Sequence, residues 1–228
     1  MMTDARVKVA ILEDHQSIVD GYLYRLEDEP KIEVVATVYL WEELEAVLEQ
    51  HPVDVLLLGV QVPTSVSNSN PHPVLHSVSD LLHRHPNVSI LAISTQTRAV
   101  LVQALVDAGV SGYIYMDDHE AIKNLAKIIL MTAVGGGYFS QAAYRQLHQK
   151  VSGLDSSILS PRQIEVLSLC ASYPDESTEK LAERLNVAGS TVRNLLSTAY
   201  VRLGVHTRAG AIAKMKTMGL FPDSPGPE

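Results

Sequence analysis

In the first half of this 228-residue chain, aliphatic and β-branched runs alternate with stretches whose apolar residues recur at i, i+3 and i+4. "VKVAIL" (7–12), "IEVVATV" (32–38), "DVLLLG" (54–59), "VSILAIS" (88–94) and "GYIY" (112–115) read as strands. Between and after them, "SIVDGYLYRLED", "WEELEAVLEQ", "VLHSVSDLLHR", "AVLVQALVDAG" and "HEAIKNLAKIILMTAV" read as helices. Strict alternation leaves room only for parallel strands joined by right-handed crossovers, so the pattern predicts an α/β domain with a five-stranded, doubly wound parallel sheet. Such sheets present their chemistry beyond the carboxyl ends of the strands. That rule selects Glu13 and Asp14 after the first strand, Gly59 at the end of the third, Ser94 and Thr95 at the end of the fourth, and Met116 after the fifth. Gly59 stands out, because it places no side chain where the rule expects chemistry.

The second half reads differently. "GGG" at 135–137 interrupts the pattern, "SQAAYRQLHQKV" reads as a short linker helix, and "SGLDSS" (152–157) reads as a hinge. Ser160-Pro161-Arg162-Gln163 then combines an N-cap, a proline at the first helical position and a glutamine three residues after the cap. "DESTEKLAERL", "STVRNLLSTAYVRLG" and "TRAGAIAKMKTMG" follow as further short helices. The expected organisation is a domain over 1–133, a linker with a short helix over 134–157, an all-α domain of four helices over 158–221, and a disordered tail over 222–228.

Charge separates the halves as well. Residues 1–150 hold 10 Lys and Arg against 18 Asp and Glu, and residues 151–228 hold 8 against 8. Positions 184–222 contain Arg184, Arg193, Arg202, Arg208, Lys214 and Lys216 with no acidic residue, a local basic field of the kind that nucleic-acid contact requires. Within it, two helical patterns flank a tight turn containing Gly189, the arrangement of a helix-turn-helix whose second helix enters the major groove. That helix offers Ser190, Thr191, Arg193 and Asn194 near its start and Arg202 later, residues suited to phosphate and guanine contacts. An amphipathic helix with Val192, Leu196, Ala199, Tyr200 and Leu203 as core explains the apolar positions, but not 39 residues without an acid.

The lone Cys170, at core spacing, gives no disulfide and reads as a small buried apolar residue. His72, His76, His83 and His85 lie close in sequence without cysteine or paired carboxylate, so no metal site is expected. No apolar run of membrane-spanning length and no secretory signal pattern is present, and a cytoplasmic location is expected.

"LSPRQIEVLSLCA", "EKLAERLNVAGSTVRNLLSTAYVRLGV" and "AIAKMKTMGL" resemble the LuxR/NarL-type helix-turn-helix. Glu165, Ala182, Leu185, Thr191, Val192, Leu196, Tyr200, Leu203, Gly204 and Val205 fall where that family's pattern has them. The resemblance implies a four-helix DNA-binding domain whose last helix, near 207–218, helps form a homodimer on double-stranded DNA. This sequence departs from the pattern at Ala188, where a serine cap is common, at Leu195, where a histidine is common, and at Val201, where a basic residue is usual.

"VAILEDH", "DVLLLGVQVP", "ILAIST" and "AGVSGYIYMDD" resemble the flavodoxin-like receiver domain of response regulators in two-component systems. In that family a strand-end aspartate accepts a phosphoryl group, an acidic pair helps hold Mg²⁺, and a hydroxyl and a lysine contact the phosphoryl oxygens. An aromatic residue responds to the change. By the resemblance, Glu13 and Asp14 take the acidic-pair positions, Ser94 the hydroxyl position and Tyr113 the aromatic position. Gly59 stands at the acceptor position and Met116 at that of the lysine. Glycine forms no acyl phosphate and a thioether carries no ammonium charge, so both departures strike the same reaction. Asp14 has an ordinary reading too, as N-cap of a helix beginning near Gln16.

The expectation is a homodimeric DNA-binding regulator of the NarL/FixJ type with a pseudo-receiver domain, not an enzyme, working without aspartyl phosphate and needing no cofactor. The alternative is a sensor whose vacated receiver pocket binds a small molecule. The Ser/Asn/Pro-rich "TSVSNSNPHP" after Pro63 reads chiefly as a flexible insertion, with a lid over that pocket as the sharper possibility.

Overall fold

The computed structural model describes residues 6–96, 98–148 and 158–218. The hinge expected at 152–157 and the tail expected at 222–228 lie outside the described residues.

The front domain runs β1 (Val7–Leu12), α1 (Gln16–Leu26), β2 (Ile32–Val38), α2 (Trp41–Gln50), β3 (Val55–Gly59), β4 (Pro63–Ser65), β5 (Asn68–Pro71), α3 (Val74–Arg84), β6 (Ser89–Ser94), α4 (Ala99–Asp107) and β7 (Gly112–Tyr115). It continues with α5 (His119–Lys123), α6 (Leu125–Ala133), β8 (Tyr138–Phe139) and α7 (Gln141–His148). The main sheet has the order β2-β1-β3-β6-β7-β8 with parallel neighbours throughout. The expected doubly wound parallel sheet is present, extended by the two-residue strand β8.

Alternate residues of the central strands feed two separate cores, as a pleat of period two requires. Ala10, Leu12, Leu56, Leu58, Ile90, Ala92 and Tyr113 pack toward α2, α3, α4 and α7. Val9, Ile11, Val55, Leu57, Leu91, Ile93 and Ile114 pack toward α1, α5 and α6. The stretch from 134 to 148, read from sequence as linker, belongs to the front domain: Tyr138 pairs with Gly112, and Ala143 of α7 is fully buried in the first core. A Cβ on Gly112 would stand 2.3 Å from the Tyr138 carbonyl oxygen, so this edge pairing needs glycine.

The helical domain contains α8 (Pro161–Ser172), α9 (Thr178–Arg184), α10 (Gly189–Leu203) and α11 (Arg208–Thr217). The capping box forms as expected: Ser160 Oγ accepts from the Gln163 amide (3.3 Å) and Gln163 Oε1 accepts from the Ser160 amide (2.8 Å). The turn between α9 and α10 is made by Asn186, with φ +50°, and not by Gly189, which is the first residue of α10. Asparagine tolerates the left-handed region, and its amide donates to the Glu183 carbonyl. Gly204 closes α10 with φ +67° while the Val205 amide reaches back to the Tyr200 carbonyl (3.0 Å).

The two domains touch through the segment read from sequence as a flexible loop. It is an ordered antiparallel hairpin, β4–β5, followed directly by α3. Asn68 Nδ2 donates to the Ser172 carbonyl at the end of α8 (2.8 Å), and Ser172 Oγ donates back to the Pro71 carbonyl (2.5 Å). His76 Nδ1 lies 2.7 Å from Glu165 Oε1, and the Arg98 guanidinium donates to the carbonyls of Thr217 and Met218 at the end of α11. Leu75 and Val100 of the front domain pack against the core of the helical domain.

Candidate functional site

The carboxyl end of the main sheet gathers Glu13, Asp14, Ser94 and Met116 around a cavity of about 240 Å³. Gly59 lies on its floor strand, opposite Ile93. A Cβ at position 59 would stand 2.8 Å from Glu13 Oε2 and 3.1 Å from the Leu12 carbonyl oxygen. The Glu13 carboxyl group therefore occupies the space into which any side chain at position 59 would grow. The missing side chain and the inward-turned glutamate are two halves of one arrangement.

Glu13 is 4% exposed. Burial, together with hydrogen bonding to Asp14, pushes its pKa up to about 7, opposed in part by the His15 backbone amide, which donates to Oε1 (3.2 Å). His15 Nδ1 lies 2.9 Å from Asp14 Oδ1 and 3.3 Å from Glu13 Oε1. Burial alone would lower the His15 pKa, but the two carboxyl groups outweigh it and raise it. These three residues bring their ligand atoms within 4.8 Å of one another, the spacing of a cation site. A cation there would have to ionise Glu13 and displace His15 from both partners. The residue at the N-cap of α1 is His15, and its side chain makes no cap bond; Asp14, expected as the cap, precedes it and pairs with the imidazole instead.

Ser94 is buried, and its Oγ accepts from the Gln96 amide (3.1 Å). Tyr113 is fully buried rather than at a sheet edge, because β8 covers its strand, and its hydroxyl donates to the Gln96 carbonyl. Burial pushes its pKa up to about 12, so it stays a neutral donor. Met116 lines the same cavity, where its thioether brings no charge. His15, which directly follows the acidic pair, completes the cluster by bridging both carboxyl groups.

The second candidate surface is α10. Ser190, Thr191, Arg193 and Asn194 are all exposed at its N-terminal end, on a helix start with no acidic residue in its first turn. Arg193 Nη1 lies 3.1 Å from Glu179 Oε1 of α9, an exposed pair that a phosphate can displace readily. Arg202 is also exposed, yet its Nη1 donates to Gln163 Oε1 (3.1 Å), and Gln163 Nε2 donates to Thr198 Oγ1 (2.8 Å). Gln163, legible in sequence only as a cap partner, thus fixes α8 to α10 and holds one end of Arg202.

Residues 157–215 match the family model of bacterial regulatory proteins, luxR family. The likeness to curated proteins spans nearly the whole chain. Transcriptional regulatory protein DegU of Brevibacillus brevis is 25% identical over 234 residues, covering 93% of this chain and 94% of that protein. DesR of Bacillus subtilis is 25% identical over 217 residues, covering 94% and 99%. DevR/DosR of Mycobacterium tuberculosis, a DNA-binding transcriptional activator, is 26% identical over 212 residues, covering 90% and 92%. Among solved structures, RcsB of Salmonella enterica serovar Typhimurium bound to promoter rprA in the presence of phosphomimetic BeF3⁻ superposes with a TM-score of 0.65 at 20% identity, covering 92% of this chain and 98% of that one. The order of a receiver-like parallel sheet followed by a luxR-type helical domain is therefore shared with known response regulators.

Proposed function

We propose that this chain is a homodimeric DNA-binding transcriptional regulator whose receiver-like domain works without aspartyl phosphorylation. The observation that carries the reading is the pairing of Gly59 with Glu13: the acceptor side chain is absent, and its place is taken by a buried carboxyl group whose pKa is pushed up to about 7. Met116 removes the ammonium group that would stabilise a phosphoryl oxygen, so neither the nucleophile nor its electrostatic partner is present. DNA contact is assigned to Ser190, Thr191, Arg193 and Asn194, with Arg202 held by Gln163 as a phosphate contact at the far end of α10. The relatives that share this domain order are transcriptional regulators, and an RcsB structure contains two dimers on two parallel DNAs.

The test is DNA retardation by the full chain at low salt, with and without acetyl phosphate and Mg²⁺. The expected result is binding of equal affinity in both conditions, weakened by Arg193→Ala. Binding that appears only after phosphodonor treatment, with a corresponding mass increase on the protein, overturns the reading.

A further inference from the structure

Arg193 and Glu179 meet at the edge of the surface assigned to DNA. The guanidinium donates to Glu179 Oε1 through Nη1 alone (3.1 Å), and among the described residues its Nε and Nη2 have no partner. A Cβ added to Gly189, one turn earlier, would stand 3.8 Å from that same Nη1, so the side chain lies back over the first turn of α10. Its own backbone amide, the Ser177 hydroxyl and Arg193 hold the Glu179 carboxyl below the usual carboxylate range, so it stays an anion. We propose that Glu179 is a positioning residue for base readout: it fixes Arg193 so that the open Nε–Nη2 edge meets guanine, and it penalises contact of the same guanidinium with phosphate. The inference rests on the DNA-binding reading of α10 and adds to it what that helix selects.

Two parallel donors suffice for guanine O6 and N7 in the major groove, so the pair with Glu179 and a guanine contact can coexist. A phosphate on the same guanidinium would lie beside the carboxylate, and the two like charges would oppose each other. Phosphate contacts carry no sequence information, so a bias away from them turns affinity into selectivity. The neighbouring arginines show the contrast. Arg184 spends the equivalent edge on Glu176, through Nε (2.8 Å) and Nη2 (2.7 Å), and stacks over Tyr173, so it offers no open fork. Arg202 is held by the neutral amide oxygen of Gln163, which puts no charge in the way of a phosphate. Because the Arg193–Glu179 pair is exposed, it adds little to folding stability, and its effect falls on recognition.

The full chain, as wild type, Glu179→Gln, Arg193→Ala and the double variant, is used to select from a library of duplexes with a randomised core. The wild type should enrich a motif with a guanine in each half-site that Arg193→Ala no longer fixes. Affinities are then measured for the enriched duplex and for the same duplex with that G·C pair changed to A·T. Glu179→Gln should lower the ratio of the two affinities by about fivefold or more, through tighter binding to the changed duplex. In the Arg193→Ala background the same substitution should leave the ratio unchanged, and circular dichroism and melting temperature should be unaltered throughout. The proposal is overturned if Glu179→Gln keeps the wild-type ratio, if it lowers the ratio equally without Arg193, or if Arg193→Ala leaves the guanine preference intact. Failure of the wild type to enrich any sequence overturns the DNA-binding reading itself, and this inference with it.

Discussion

Placing an aspartate at position 59 is the most direct challenge to the packing of Glu13 over Gly59. An ordinary contact to a Cβ is 3.4–4 Å, and the first side-chain atom at this position meets Glu13 Oε2 at 2.8 Å and the Leu12 carbonyl oxygen at 3.1 Å. Glu13 is a flexible side chain and can swing away, at the loss of its bonds to His15; the Leu12 carbonyl belongs to β1 and can move only by tenths of an ångström. Gly59→Ala should therefore destabilise the front domain by about 1–3 kcal/mol, the usual range for overpacking. Gly59→Asp should cost at least as much, and its deficit should grow from pH 5.5 to pH 8, because a second carboxylate would be forced beside a group whose pKa is already about 7. With Met116 in place, the single variant should acquire phosphate from acetyl phosphate on the order of tenfold less, or lower still, than Gly59→Asp/Met116→Lys, since a lone charged donor at a developing phosphoryl charge is worth that much or more. Urea unfolding at two pH values and intact-mass measurement after phosphodonor treatment give both readouts. Gly59→Ala with unchanged stability, or Gly59→Asp phosphorylated as fully as the double variant, would refute the reasoning.

Glu13→Gln tests the same site by pH. The folded-state pKa of Glu13 lies near 7 against an ordinary 4.5, so the wild-type side chain is fully tolerated below about pH 4.5 and becomes a burden as pH rises through 7. Relative to Glu13→Gln, the wild type should lose up to about 3 kcal/mol across that window and level off above it, as measured by unfolding at successive pH values. Arg193→Ala should reduce DNA affinity by about 1–3 kcal/mol, and should lower the salt slope of binding by about one if the contact is to phosphate. Asn68→Ala with Ser172→Ala removes the paired bonds between the hairpin and α8; at roughly 1 kcal/mol each, their loss should expand the chain in solution scattering while the circular dichroism stays constant. An unchanged radius of gyration would show that the remaining contacts, His76 with Glu165, Arg98 with the end of α11 and the apolar Leu75 and Val100, suffice to hold the domains together.

The parallel sheet was legible because continuous apolar runs such as VLLL and ILAI, the mark of strands buried on both faces, alternate with stretches of 3.6-residue period in the first half of the chain. The start of α8 was legible because Ser160, Pro161 and Gln163 act locally and form their cap without help from distant residues. The hairpin was not, because strands of three and four polar residues carry no alternation, and their order comes from α8, over a hundred residues away in sequence. For the same reason β8 was hidden: a two-residue strand has no period, and only its pairing with Gly112 defines it. At the end of β3, sequence revealed the missing side chain of Gly59 but not that Glu13 fills its place. Filling a gap is a three-dimensional event, and nothing in "ILEDH" distinguishes an outward Glu13 from one turned over the glycine. Asn186 was likewise overshadowed by Gly189, since glycine is the usual marker of a turn and asparagine a quieter one.

Helix α8 answers to two masters. Glu165 and Ser172 bond to the front domain, while Ile164, Leu167 and Cys170 on the same helix belong to the core of the helical domain. The two modules are consequently less interchangeable than their separate folds suggest. A helical domain transplanted from another regulator would keep its own core and, without a serine at the position of Ser172, would lose the hydroxyl that donates to the Pro71 carbonyl. Any chimera built at the segment between 148 and 158 inherits that mismatch, and the natural unit of exchange is the front domain together with the face of α8 that carries Glu165 and Ser172.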